Sequence, residues 1–132
     1  MFFIVAACYA GDMLQGEAVK YYNDGVKAQK LGDTEALKTA YQKALILAEG
    51  SRKDIIKSIY NNYGIMYVNQ KNIDLAKKFF EEALKMDPNY KEANFNMGIL
   101  SSQIGDAEKA LMYWRKALNE NSSYMLEGEK SE

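Results

Sequence analysis

The stretch "YNNYGIMYVNQKNIDLAKKFFEEALKMDP", residues 60–88, carries the pattern on which the reading of this chain turns. In its second half Leu75, Ala76, Phe79, Phe80, Ala83 and Leu84 recur at three- and four-residue spacings. Lys77, Lys78, Glu81, Glu82 and Lys85 fill the gaps, which is the pattern of an amphipathic helix with one buried stripe. "QKN" at 70–72 interrupts the helical pattern ahead of it, and Asp87-Pro88 closes the segment. Proline fixes its own φ and drives the preceding residue out of the α region, so the helix ends there. The local reading is helix, short turn, helix, stop.

The same pattern recurs on both sides. Further breaker clusters stand at "KLGDT" 30–34, "AEGSR" 48–52, "MDPN" 86–89 and "IGD" 104–106. No stretch alternates apolar and polar residues at period two for long, so the fold class is all-α. Gly64 and Gly98 stand 34 residues apart, and that offset also carries Ala76 onto Ala110, Phe80 onto Trp114, Ala83 onto Ala117 and Leu84 onto Leu118. Upstream, an offset of 39 brings Gly25 under Gly64 and Tyr41, Ala44 and Leu45 under Phe80, Ala83 and Leu84. The units are 18–51, 57–90 and 91–124, each a pair of antiparallel helices, with five extra residues between the first two. Those five give the second helix of the first unit room to run on.

A glycine inside a helix costs roughly 1 kcal/mol relative to alanine, so three in register imply a place where two backbones pass too closely for a Cβ. Small residues at Ala44, Ala76, Ala83, Ala110 and Ala117 make the same room on the second helix. The aromatics Tyr41, Phe80 and Trp114 are expected to fill space towards the neighbouring unit. Each helix pair leaves one apolar face bare, and stacking buries it.

A 34-residue helix–turn–helix unit with these residues resembles the tetratricopeptide repeat, over residues 18–124. The second unit carries the family pattern as Tyr60, Gly64, Ala76, Phe80, Ala83 and Pro88. The third has Asn94 and Ser122 in place of the first aromatic and the proline, and the first has Asp24, Leu37 and Glu49 at departing positions. The resemblance implies antiparallel pairs stacked as a right-handed α-solenoid, and a binding scaffold whose first helices line a concave groove for a partner peptide or helix. Phasing from the glycines places Tyr22, Asn23, Val26 and Lys30 on that face in the first unit. Asn61, Asn62, Ile65 and Asn69 follow in the second, and Phe95, Asn96, Ile99 and Gln103 in the third.

Asn23, Asn62 and Asn96 each precede their glycine by two residues. A row of amides offers donors and acceptors to an extended peptide backbone, similar to the asparagine ladders known in the family. The alternative, equally open from sequence, is that these amides hold neighbouring units together. A clamp for a C-terminal carboxylate is disfavoured, because Tyr22, Val26, Asn62, Glu92 and Asn96 occupy its positions and only Asn62 fits. Lys27 and Lys30 leave a weaker basic spot.

Composition narrows the chemistry. The 132 residues hold 17 Lys+Arg against 18 Asp+Glu, a net charge of −1, so no basic excess marks a nucleic-acid binder. With no His and one Cys, the usual general base, the commonest metal ligand and an internal disulfide are all missing. The expectation is a non-enzymatic protein-interaction module with no cofactor or metal. The other reading is the regulatory or substrate-recruiting part of a larger enzyme.

The leader 1–16 is apolar, and Val5-Ala6-Ala7-Cys8 resembles the end of a bacterial lipoprotein signal, with Cys8 as the lipidated residue. Three fates stay open for it: a lipid anchor in the bacterial cell envelope, ordinary signal cleavage with secretion, or no export and a cytoplasmic location. The repeat domain is placed at 17–124, and residues 125–132 read as an acidic, frayed tail.

Overall fold

A computed structural model describes the backbone of residues 2–118 and the side chains of residues 13–118. Six helices follow one another: α1 (Phe2–Leu31), α2 (Thr34–Ala48), α3 (Lys53–Asn69), α4 (Ile73–Met86), α5 (Lys91–Gln103) and α6 (Ala107–Leu118). Among the described residues there is no strand, and each of the five breaks between successive helices falls at one of the five breaker clusters. The fold is an all-α repeat solenoid. The expected division between a leader and the repeats at 16/17 coincides with no break, since α1 runs straight through it. The Cys8 side chain and the expected tail at 125–132 lie outside the described residues.

The turn inside each unit is built the same way three times. Gly32, Lys71 and Gly105 hold φ of 72°, 59° and 83° at equivalent positions. The next residue, Asp33, Asn72 or Asp106, donates its backbone N–H to the carbonyl five residues back, on Ala28, Tyr67 or Ser101, at 2.9 Å each. Its side chain then accepts from the backbone N–H of Ala36, Leu75 or Lys109 and caps the second helix. Only Lys71 pays the left-handed penalty with a Cβ. Lys71→Gly is therefore expected to raise stability by about 0.5–1 kcal/mol, measured by urea denaturation.

The five extra residues lengthen helices, though not in the way the sequence suggested. The loops after α2 and α4 are both four residues long, at 49–52 and 87–90. One extra residue extends α2, and four form the first turn of α3. A helical insertion keeps its backbone groups paired internally, so it adds length without opening a polar loop.

The recurrent glycines pack differently from the expectation. A Cβ built on Gly25 would stand 2.2 Å from the Tyr41 ring, one on Gly64 2.4 Å from the Phe80 ring, and one on Gly98 2.2 Å from the Trp114 indole. What occupies the missing Cβ is thus an aromatic ring from the second helix of the same unit, not a second backbone. The rings still reach onward: Tyr41 meets Tyr63 edge-on at 5.5 Å, and Phe80 shares a core with Met97 and Leu100 of the next unit. Tyr41 and Phe80 therefore each join the two helices of their own unit to the next unit.

Helices pair within units as α1·α2, α3·α4 and α5·α6, and units stack through α2·α3 and α4·α5. Beyond that, α1 touches α3 and α3 touches α5, while α2, α4 and α6 do not touch one another. The odd-numbered row is the more crowded, so the stack curves with α1, α3 and α5 on its inner side.

Candidate functional site

The residues that helical phasing assigned to the inner face stand in three kinds of setting. Asn23 and Lys30 on α1, Asn69 on α3, and Phe95 and Gln103 on α5 are exposed. Tyr22, Val26, Asn62, Ile65 and Asn96 are half-buried, and Ile99 is open at 36 %. Asn61 is 4 % exposed and belongs to the packing between α3 and α5. Phasing alone placed it one step too far round the helix. Lys27 pairs with Asp24 at 3.8 Å, which weakens the basic spot next to Lys30.

Two of the three amides in the row are engaged across unit boundaries. The Asn62 amide donates to the Tyr41 hydroxyl at 2.9 Å, and that hydroxyl in turn donates to Gln29 Oε1 at 3.3 Å. Asn96 Nδ2 donates to Asn61 Oδ1 at 2.9 Å. These bonds tie the first unit to the second and the second to the third. Asn23, at the head of the row, is exposed on α1. Burial pushes the Tyr41 phenol up to about 12, against the smaller lowering effect of the Asn62 N–H.

Ile65, Asn96, Ile99 and Gln103 come together around a cavity of about 100 Å³ between α3 and α5. Val68, Phe80 and Leu100 complete its wall. Val68 was legible in principle, since it follows Ile65 by three residues on the same face. Leu100 and Phe80 were not, because they belong to core stripes that surface only where α3 and α5 diverge. Asn69 lies elsewhere, beside a cavity of about 190 Å³ formed with the turn at Gly32 and Asp33. The arrangement can grip an apolar side chain between two helices while backbone donors and acceptors of the ligand meet exposed amides. Among the described residues no three carboxylate or thiol side chains gather in a metal-holding group.

Models of the tetratricopeptide repeat match residues 58–90 and 79–112. Among curated proteins, the chain is 36% identical over 92 residues to "Photosystem I assembly protein Ycf3" of Synechococcus sp. (strain CC9605), covering 67% of this chain and 50% of that protein. It is 31% identical over 119 residues to the protein of the same name from Cyanophora paradoxa, covering 77% and 66%. It is 27% identical over 121 residues to "Uncharacterized protein ycf37" of Pyropia yezoensis, covering 77% and 68%. The matched family models fall on the second and third of the three units that share the glycine–aromatic pair and the turn. The chain belongs to the tetratricopeptide repeat family.

Proposed function

We propose that this protein is a non-catalytic scaffold that holds an extended segment of a protein partner along α1, α3 and α5, and so helps a multiprotein complex assemble. The observation that carries this reading is the pair Phe95 and Ile99, 52 % and 36 % exposed on the inner face beside the cavity at Ile65. Large apolar side chains left open on a curved inner surface fit a partner's apolar side chains better than solvent. Similarity to proteins named for photosystem I assembly supports a role in building a complex. In this proposal, lipidated Cys8 attaches the scaffold to a membrane surface of the cell envelope. No helix among the described residues is long and apolar enough to cross a membrane, so attachment would be to one face.

The test is capture of the assembling complex by the purified chain and by Phe95→Ser/Ile99→Ser. Both side chains are partly solvent-exposed, so melting should change by only about 0.5 kcal/mol or less. Capture should fall at least about tenfold, the equivalent of about 1.4 kcal/mol. Unchanged capture by that variant would sink the groove reading. The amides separate two roles: Asn23→Ala should weaken capture alone, whereas Asn96→Ala strips the buried Asn61 Oδ1 of its donor and should cost about 1–3 kcal/mol of stability. Intact-mass analysis of the cellular protein tests the anchor, and an unmodified Cys8 would remove it.

A further inference from the structure

Tyr60 opens the second unit with a ring that packs against Phe79, centroids 6.2 Å apart. Thirty-four residues on, the third unit places Asn94 and Tyr113 at those two positions. Asn94 is 1 % exposed. Its Nδ2 donates to the carbonyls of Pro88 and Tyr90, both at 3.0 Å, and two carbonyls on one end of the amide fix which end is nitrogen. The other end, Oδ1, is buried with no hydrogen-bond partner among the described residues. A buried acceptor left without a donor is unfavourable, so an orphan of this kind needs an explanation.

Where the ring is missing there is space. A cavity of about 400 Å³ lies at Asn94, with Leu84, Pro88 and Tyr113 as its apolar walls and Glu81, Lys85 and Lys116 around it. That volume is within the usual range for ligand sites, about 300–1,000 Å³. The cavity sits between α4 and α6, which do not touch, and so belongs to the outer row, away from the inner groove.

The chemistry of the lining eliminates most occupants. An anion would set its own acceptors against Oδ1, and a cation would meet Lys85 and Lys116. A purely apolar group leaves Oδ1 unpaired. A serine or asparagine supplies a donor but cannot fill the volume. A water pairs Oδ1 but leaves the walls of Leu84, Pro88 and Tyr113 wet, so the group that satisfies both is a neutral donor on a flat apolar body. We propose that this cavity receives a tyrosine or tryptophan side chain from a partner protein, its O–H or N–H donating to Asn94 Oδ1 and its ring lying between Leu84, Pro88 and Tyr113. The partner thereby replaces the ring that Tyr60 provides within the chain, and this second contact does not depend on the groove reading.

The probe is p-cresol, the tyrosine side chain as a free molecule, with toluene as its counterpart lacking the hydroxyl. Titrated into the full isotope-labelled chain, p-cresol should shift the Asn94 side-chain amide and the Leu84 methyls, and bind about tenfold more tightly than toluene. Asn94→Tyr, which rebuilds the arrangement seen at Tyr60, should fold, melt higher and lose the p-cresol response. The comparison on the unaltered chain stands even if that variant does not fold. Equal affinity for the two probes, or shifts confined to other surfaces, overturns the proposal. So does p-cresol binding that emerges only in Tyr124→Ala, because the chain's own tyrosine would then be the occupant. A concentration-dependent dimer dissociated by p-cresol would assign the cavity to a second copy and equally refute a distinct partner.

Discussion

Gly64→Ala is expected to destabilise the folded chain by about 1–3 kcal/mol, although alanine is the better helix former. The added methyl would stand 2.4 Å from the Phe80 ring, which is 1 % exposed and locked among Ala76, Met97 and Leu100. Gly16→Ala supplies the contrast, because nothing lies within 4 Å of its Cβ. There the same substitution in a helix should stabilise by about 0.5–1 kcal/mol. Phe80→Ala alone should cost about 3–5 kcal/mol by emptying the core between the second and third units. With the ring gone the obstacle to a methyl at position 64 disappears, so Gly64→Ala should become neutral or stabilising in that background. Chemical denaturation of the two single variants and the double variant gives the coupling directly. Additive effects would mean that the ring does not rest on the glycine.

Tyr41 is the corresponding element of the first unit, and its removal should be of similar size. It is fully buried, stacks on Tyr22 at 6.1 Å, meets Tyr63 edge-on, and its hydroxyl links Gln29 to Asn62. Tyr41→Ala should cost about 3–5 kcal/mol. Tyr41→Phe keeps the ring but leaves the Asn62 amide without its acceptor, and about 1–2 kcal/mol should be lost. The phenol also gives stability a pH dependence. It is held up to about 12 in the folded chain, while an unfolded tyrosine ionises near about 10. Between those values the unfolded chain has released a proton that the folded chain keeps, so stability falls as pH rises and is level below that window. The loss should be on the order of 2 kcal/mol by the top of the window. Tyr63 and Tyr90, also raised by burial, act in the same direction. Melting followed from neutral to alkaline pH should show a shallower decline in Tyr41→Phe than in the unaltered chain.

Both ties between units therefore combine an apolar core with polar bonds: the Tyr41 hydroxyl to Asn62 between first and second, and the Asn96–Asn61 amide pair between second and third. Within the second unit the Lys57 ammonium ties α3 to the α4–α5 turn, 2.5 Å from Asp87 and over the Tyr90 ring. The Lys57 N–H bond holds the Asp87 carboxyl below its usual range. Both partners are partly open to water, so this link fixes geometry more than it stabilises.

Residues close in the chain carried everything that depends on local geometry. The three- and four-residue spacing of Leu75, Ala76, Phe79, Phe80, Ala83 and Leu84 marks a helix wherever it occurs, and "LGD", "QKN" and "IGD" mark the turns. Their recurrence at one offset reveals the repeat, because a repeating unit has to write the same short-range requirements each time. Contacts between helices follow different rules, since they depend on crossing angles and on which side chains meet across a gap. That is why Gly64 makes room for the Phe80 ring of its own unit where a second backbone was expected, and why Asn61 is buried beneath Asn96. It is also why Asn94, in sequence a minor departure from the repeat pattern, emerges in three dimensions as a buried amide with an unpaired oxygen beside an empty space. The pattern along the chain names the helices and their joints; the packing of side chains from 12 to 35 residues apart settles which amides bind neighbouring units and which face outward.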